Sequence, residues 1–500
     1  FKQKTAYEIM PSLVGSEMCI RDSLNKKLEA SSLIFKEILY LFIYSVLIVV
    51  LVRGGFQRKP LRPSFAFRND NIYLAHLSLN GVYTAFNTLR KGKIGRLKVY
   101  PENVAIKMVR EIIKTENEKF LSNEYPLLRR IIKRDKINKK LNVIIFIMES
   151  WTESHITPEL TPFFYTLKKK GIYFKNFYAC GSRSPEGILS VIASIPPLTQ
   201  FTFIGSSLEE TKIRTIAHIL KENGYKTVFF HGAKLGSFGF NAFSRLSGFE
   251  RFISKNDFDL KKVKWDGAWG VFDHYVFERV DEEARKTKEP FLFVIFSLSS
   301  HSPYKLPDER FRIFKEKDEL HKYFNTLYYS DWALKEFFKR AENSSYFKNT
   351  IFIITADHTI AKGLKSFNEL HRIPLLIYAP DYISGFVSKK IGTQLDILPT
   401  VLDLLGITSP HSSFGKSLLS KTPGFAFISS GNVYGWIKGN YLLIHNLEKT
   451  ISLYNIKTDK DEKNNLIGKS DYKKLEKELL SYIQLGRELL LKNKIYPMDK

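Results

Sequence analysis

NVIIFIMES at residues 142–150 and TIFIITADH at residues 350–358 are apolar runs that end in charged, metal-ligating side chains. An unbroken β-branched and aromatic run reads as a strand buried on both faces, typical of a parallel sheet covered by helices. Ligands of such sheets sit outside the carboxyl ends of the strands. Glu149 ends the first run, and Asp357 and His358 end the second. Charged groups there are costly unless they hold an ion or one another. Either run alone fits ordinary strand-end acids in solvent. Both together, with a serine segment between them, point to an active site.

Outward from these strands the chain alternates. Residues 161–171, 188–194, 213–224 and 331–340 have helical patterns, while 226–231, 291–297 and 374–379 are strand-like. That alternation predicts βαβ units and a mostly parallel sheet flanked by helices, over residues 141–410. Beyond Gly406 the pattern returns to strands, at 426–429, 441–445 and 451–454, with a helix at 472–491. Residues 411–500 are therefore expected to form a small antiparallel C-terminal subdomain.

Toward the N-terminus, SSLIFKEILYLFIYSVLIVVLV forms a membrane candidate within residues 31–53. The uncharged part falls short of the ~30 Å hydrocarbon core at ~1.5 Å per residue, and extension back to Leu33 supplies the length. Arg53, Arg58, Lys59, Arg62 and Arg68 follow, and by the positive-inside rule they would place the C-terminal side in the cytoplasm. Residues 1–30 contain YEIMPSLVGSEMCIRDS, which shares neither the lysine richness nor the periodicity of its surroundings. It reads as a translated sequencing-adaptor artefact or a disordered end, and membrane helices upstream are expected to have been lost. Residues 54–140 read as a linker with helices.

The formal charge is +26, from 77 basic and 51 acidic residues. The lysines are spread along the chain, with no arginine-rich patch and no nucleic-acid motif, so a nucleic-acid partner is not expected. An anionic membrane surface or substrate suits the same charge. Cys19 and Cys180 are the only cysteines, and no disulfide framework follows from them.

CGSRSPEG at residues 180–187 precedes an apolar helical stretch. Ser184 before Pro185 fits an N-cap serine with proline at the first helical position. The same geometry suits a nucleophile, because a helix N-terminus and a nearby cation both stabilise an alkoxide. Ser182 is the rival. His301 follows one strand, His231 ends another, and Arg183 flanks the serine; each is a phosphate-contact candidate or a structural residue. Trp265, Asp266 and Trp269 line a substrate wall or simply pack.

Taken in order, Glu149, Thr161-Pro-Phe163, Phe174–Tyr178, GSRSPEG (181–187), Ser299–His301, Asp357–His358, RIPLLIYAP (372–380) and QLDILPTVLDLLG (394–406) resemble the lipoteichoic acid synthase and phosphoglycerol transferase group. LYNIKTDKDEKNNL near the end is similar to a sulfatase-type C-terminal segment. That group lies within the alkaline phosphatase and sulfatase superfamily. The resemblance implies that Glu149, Ser184, Asp357 and His358 bind one divalent cation, with manganese preferred and zinc or magnesium also compatible with such a donor set. It also implies Ser184 as nucleophile, where members often carry threonine, and His301 as a substrate-phosphate contact or proton donor. Where the group carries a closely spaced tryptophan and arginine, this chain has Phe238, Phe240 and Asn241, with Arg245 the only arginine.

A sulfatase needs formylglycine made from Cys or Ser in a C/S-x-P-x-R pattern. Neither Cys180 nor Ser184 is followed by it: the second residue on is Ser182 or Glu186. The expected activity is transfer of glycerophosphate from an anionic phospholipid, through Ser184, to a glycan or polyol-phosphate acceptor. The resemblance implies a cell-membrane protein with an extracytoplasmic catalytic domain, against the local charge rule. Phosphoethanolamine transfer, phosphodiester hydrolysis and non-catalytic binding of anionic glycans are the alternatives.

Overall fold

A computed structural model describes residues 6–53, 94–132 and 140–497, with scattered positions between 55 and 81. The chain divides into two compact units, Phe1–Arg62 and Pro63–Lys500.

The first unit is a helix, Ala6–Arg53. It begins well before residue 31 and so takes in 6–30, for which disorder or an artefact was expected. Helices lengthen cooperatively once nucleated, which carries the helical backbone past the apolar stretch. Within it, Ile34–Leu51 is long and apolar enough to cross a membrane and is not buried against protein. Arg58, Lys59, Arg62, Arg68 and the side chain of Arg53 lie outside the described residues, as does most of 54–93.

In the second unit two short strands, β1 (Glu118–Phe120) and β2 (Arg129–Ile131), form a ribbon after the helix Glu102–Ile113. The central sheet then uses β3 (Asn142–Met148), β4 (Ile172–Tyr178), β5 (Lys226–His231), β6 (Arg251–Ile253), β7 (Phe291–Phe296), β8 (Thr350–Ala356), β9 (Leu375–Tyr378) and β10 (Phe386–Thr393). Their order is β10-β4-β9-β8-β3-β7-β5-β6. β9 is antiparallel to both neighbours, and the other pairings are parallel. The mostly parallel sheet expected from the sequence is present. β3 and β8 are buried at every position, as strands covered on both faces must be. Phe146 on β3 packs edge-on against Phe277 and Phe337 of the helices Asp273–Lys286 and Glu319–Ala341, at 5.1 and 5.0 Å. A second group of helices, Ser184–Ala193, Ile216–Glu222 and Ile397–Leu405, packs together elsewhere in the unit.

β11 (Phe425–Ser430), β12 (Val433–Lys438), β13 (Tyr441–His445) and β14 (Thr450–Asn455) form the antiparallel meander expected near the C-terminus. The helix Lys473–Leu491 covers it through Tyr482, 5.3 Å from Trp436. β12 was not read from the sequence: its valine, tryptophan and isoleucine are interrupted by Gly435 and end in Lys438.

Candidate active site

β3 and β8 run side by side, with Met148 paired to Ala356. The next residues, Glu149 and Asp357, therefore emerge together at the carboxyl edge of the sheet. The carboxylate oxygens of both and His358 Nε2 lie within 4.8 Å of one another. His358 Nε2 is 3.2 Å from Asp357 Oδ2 and 3.8 Å from Glu149 Oε1. His358 Nδ1 lies 2.8 Å from the Thr359 carbonyl and must donate to it, so in the neutral ring Nε2 is the nitrogen left to serve as a ligand.

Ser184 completes the set from another element. Its Oγ is 3.3 Å from His358 Nε2. The helix Ser184–Ala193 starts one residue earlier than expected, with Arg183 as N-cap and Ser184 as the first helical residue. The Glu186 carboxylate accepts from the backbone N–H of Ser182 and Arg183 at 3.0 and 3.1 Å. Glu186 thus caps the helix, and the Ser184 hydroxyl turns to the carboxylate cluster. Ser182, the rival nucleophile, is exposed.

Two glutamine and glycine contacts hold the halves together. Gln394, fully buried, donates to the Ala356 and Asp357 carbonyls at 2.8 and 2.7 Å and accepts from Cys180 N–H at 3.0 Å. A Cβ on Gly187 would stand 2.1 Å from the Asp357 carbonyl oxygen, so only glycine lets the helix approach the ligand strand. Gln394's role was not legible from local pattern, because its partners are backbone groups far away in the chain.

The site is electrostatically crowded. Burial, and then the charge of Asp357, pushes the Glu149 carboxyl well above the usual range. Burial is the largest influence on His358 and lowers it, but Asp357 and Glu149 together lift it above its ordinary value. Glu149 Oε2 and Asp357 Oδ2 are buried without hydrogen-bonding partners. Two buried carboxylates, one imidazole nitrogen and one hydroxyl form a donor set that fits a divalent cation.

The remaining expected residues have different fates. The Arg183 guanidinium bonds Glu186, with Nε to Oε1 at 2.9 Å, and braces the helix end. Asp266 accepts from the N–H groups of Ala268, Trp269 and Gly270 and shapes a turn. Trp269 stands edge-on to His301 at 4.7 Å, with Phe238 stacked on it at 5.5 Å. Trp265 lies on the surface beneath Lys255. Arg245 bonds the Glu250 carbonyl through Nη1. His231 is buried at the end of β5 and feels the charges of His301 and Asp357. Tyr304, unassigned from the sequence, has a positive φ of 58° and feels the charge of Glu149.

Residues 141–407 match the family model described as Sulfatase. A lipoteichoic acid synthase-like protein of Bacillus subtilis is 27% identical over 343 residues, 62% of this chain and 54% of that one. The lipoteichoic acid synthase of Staphylococcus aureus (strain USA300) is 24% identical over 314 residues, 57% of this chain and 48% of its own. The chain thus spans about half the length of the curated relatives it matches. Among solved structures, an alkaline phosphatase superfamily protein of Vibrio parahaemolyticus has a TM-score of 0.72 at 25% identity, covering 81% of this chain and 99% of that one. The lipoteichoic acid synthase of Listeria monocytogenes has a TM-score of 0.64 at 21% identity, covering 77% and 98%, a likeness of fold.

Proposed function

The chain belongs to the sulfatase family, and we propose that it is a membrane-anchored phosphoglycerol transferase with Ser184 as nucleophile. The observation that carries this reading is the Ser184 hydroxyl, released from capping and 3.3 Å from His358 Nε2, beside two buried, unpartnered carboxylate oxygens. The names of the matched relatives, lipoteichoic acid synthases, support the same reaction class. The missing formylglycine pattern around Cys180 and Ser184 speaks against sulfate-ester hydrolysis. The Ile34–Leu51 helix supports a membrane anchor, and the family analogy an extracytoplasmic catalytic domain.

Glu149, Ser184, Asp357 and His358 would hold the divalent cation, with manganese preferred. When bound, it would offset the carboxylate charge and stabilise the Ser184 alkoxide. Ser184 Oγ gives up its proton to solvent and attacks the phosphorus of a phosphatidylglycerol-type donor, and the bond from phosphorus to the diacylglycerol oxygen breaks. His301, on the loop beyond β7, would protonate that leaving oxygen. The serine then carries a glycerophosphoryl ester. An acceptor hydroxyl on a glycan or polyol phosphate attacks it, loses its proton, and frees Ser184. Two covalent half-reactions imply ping-pong kinetics.

One observation favours a second headgroup. The Arg245 guanidinium is bonded to the Glu250 carbonyl in the region where the group carries its tryptophan and arginine. Release of diacylglycerol from labelled phosphatidylglycerol and phosphatidylethanolamine, with manganese and with chelator, separates the readings. Manganese-dependent turnover of phosphatidylglycerol is expected. Preference for phosphatidylethanolamine would reassign the headgroup, and chelator-resistant turnover would sink the metal-dependent scheme.

A further inference from the structure

β6 ends at Ile253 and runs parallel to β5, and β5, β7, β3 and β8 are parallel in turn. The chain therefore leaves β6 at the same edge of the sheet as Glu149 and Asp357. Residues 264–272 then double back as a hairpin. Trp265 bridges Val271, Gly270 bridges Ala233, and the Asp266 N–H bonds the Gly270 carbonyl at 2.9 Å. Gly267 at the tip has a φ of 79°, which favours glycine.

The two tryptophans of this hairpin have opposite surroundings. Trp269 donates from Nε1 to the Ser302 carbonyl at 2.8 Å and so joins the hairpin to the loop that carries His301. Trp265 is 42% exposed, and Leu260 just before it is 46% exposed. Single exposed apolar residues are ordinary, but here two large ones stand together beside a candidate active site. Lysines accompany them. Lys255 Nζ lies 3.1 Å over the Trp265 ring, Lys261, Lys262 and Lys264 are exposed between Leu260 and Trp265, and Lys234 is exposed on the loop beyond β5. The three acids of the stretch serve local bonds: Asp257 accepts from Ser254, Asp259 from the Lys261 N–H, and Asp266 from three N–H groups of its turn. Five lysines against three acids leave the lip basic.

Tryptophan and lysine suit the headgroup layer of a bilayer. The indole has an apolar body and one polar edge, the lysine stem is apolar up to its charge, and that charge is drawn to anionic lipid. A polyanionic chain in solution would engage the lysines and leave Leu260 and Trp265 without a role.

We propose that the 254–272 lip docks on an anionic bilayer surface, with Leu260 and Trp265 in the headgroup layer and the lysines on lipid phosphates, so that the site opens where a phospholipid's phosphorus lies. The purpose of this docking rests on the phosphoglycerol-transfer reading above; the docking itself is tested separately from it.

The full chain is placed in lipid discs containing phosphatidylcholine brominated in its acyl chains, with or without phosphatidylserine, an anionic lipid that has no glycerol headgroup. Trp151 and Trp436 are buried in the protein and out of reach of the quencher. Tryptophan quenching is expected with phosphatidylserine, to weaken as salt is raised, and to be largely lost in Trp265→Phe. No quenching, or quenching that Trp265→Phe leaves intact, would overturn the proposal.

Turnover is then compared between bilayer phosphatidylglycerol and dihexanoyl phosphatidylglycerol, a short-chain donor soluble as monomers. Leu260→Asp and the double variant Lys261→Gln/Lys262→Gln are each expected to lose about 10-fold on the bilayer donor and nothing on the soluble one. Unchanged turnover of the soluble donor also shows that the variants fold. Equal losses on both donors would make the lip a wall of the catalytic pocket and contradict the proposal, as would no loss on either. Absence of turnover in wild type would remove the phosphoglycerol-transfer reading instead, and the quenching result would still decide the docking.

Discussion

Ser184 is available for chemistry because Glu186 caps the helix in its place. Replacement by threonine keeps a hydroxyl at the same atom, so Ser184→Thr is expected to retain turnover while Ser184→Ala loses it, as read by diacylglycerol release. Gln394 works one step further out, fixing the Asp357 backbone and the loop to Ser184 with a single amide. Loss of a residue that orients a metal ligand weakens binding about 10–100-fold. Gln394→Leu is expected to lower manganese affinity in that range by titration calorimetry; unchanged affinity would make the glutamine merely structural. Glu149, Asp357 and His358 were legible as candidate ligands because each stands at a strand end, and Ser184 joined them through the family resemblance. Gln394 was not, since hydrogen bonds to remote carbonyls leave no local pattern.

Elements determine how closely those residues approach. The helix Ser184–Ala193 meets the β8 end across Gly187, and an added methyl group would have to displace backbone. Gly187→Ala is expected to destabilise the fold by about 1–3 kcal/mol in urea titration. Because a shift of about 1 Å in a reacting group costs about 100-fold, kcat is expected to fall on that scale. A variant with normal kcat would show that the close approach is unimportant. β3, β5, β7 and β8 were legible as apolar runs. β10 was not: FVSKKIGT is an edge strand, half exposed and lysine-bearing, with no buried face to imprint a pattern. The reversed direction of β9 was equally hidden, because apolar character does not encode direction.

At the scale of the molecule, β2 is tied to the segment before the C-terminal sheet by a buried charge cluster. Arg129 Nε and His411 Nε2 lie 3.1 and 3.0 Å from Glu118 Oε1. Burial alone would raise Glu118, but Arg129 and then His411 outweigh it and bring the carboxyl down to about 2 from 4.5. A depressed carboxyl stabilises the fold above pH 4.5, and that contribution is lost as the pH falls toward 2. It amounts to about 3 kcal/mol as an upper estimate. The difference in Tm between wild type and Glu118→Gln is therefore expected to be largest above this window and to shrink on acidification through it. A constant difference would assign the effect to packing.

The central claim is a covalent bond at one hydroxyl, and intact-protein mass spectrometry after incubation with phosphatidylglycerol and manganese reads it directly. The result expected is a glycerophosphoryl adduct mapped to Ser184 and absent from Ser184→Ala; an adduct on Ser182, or none with any lipid tested, would contradict it.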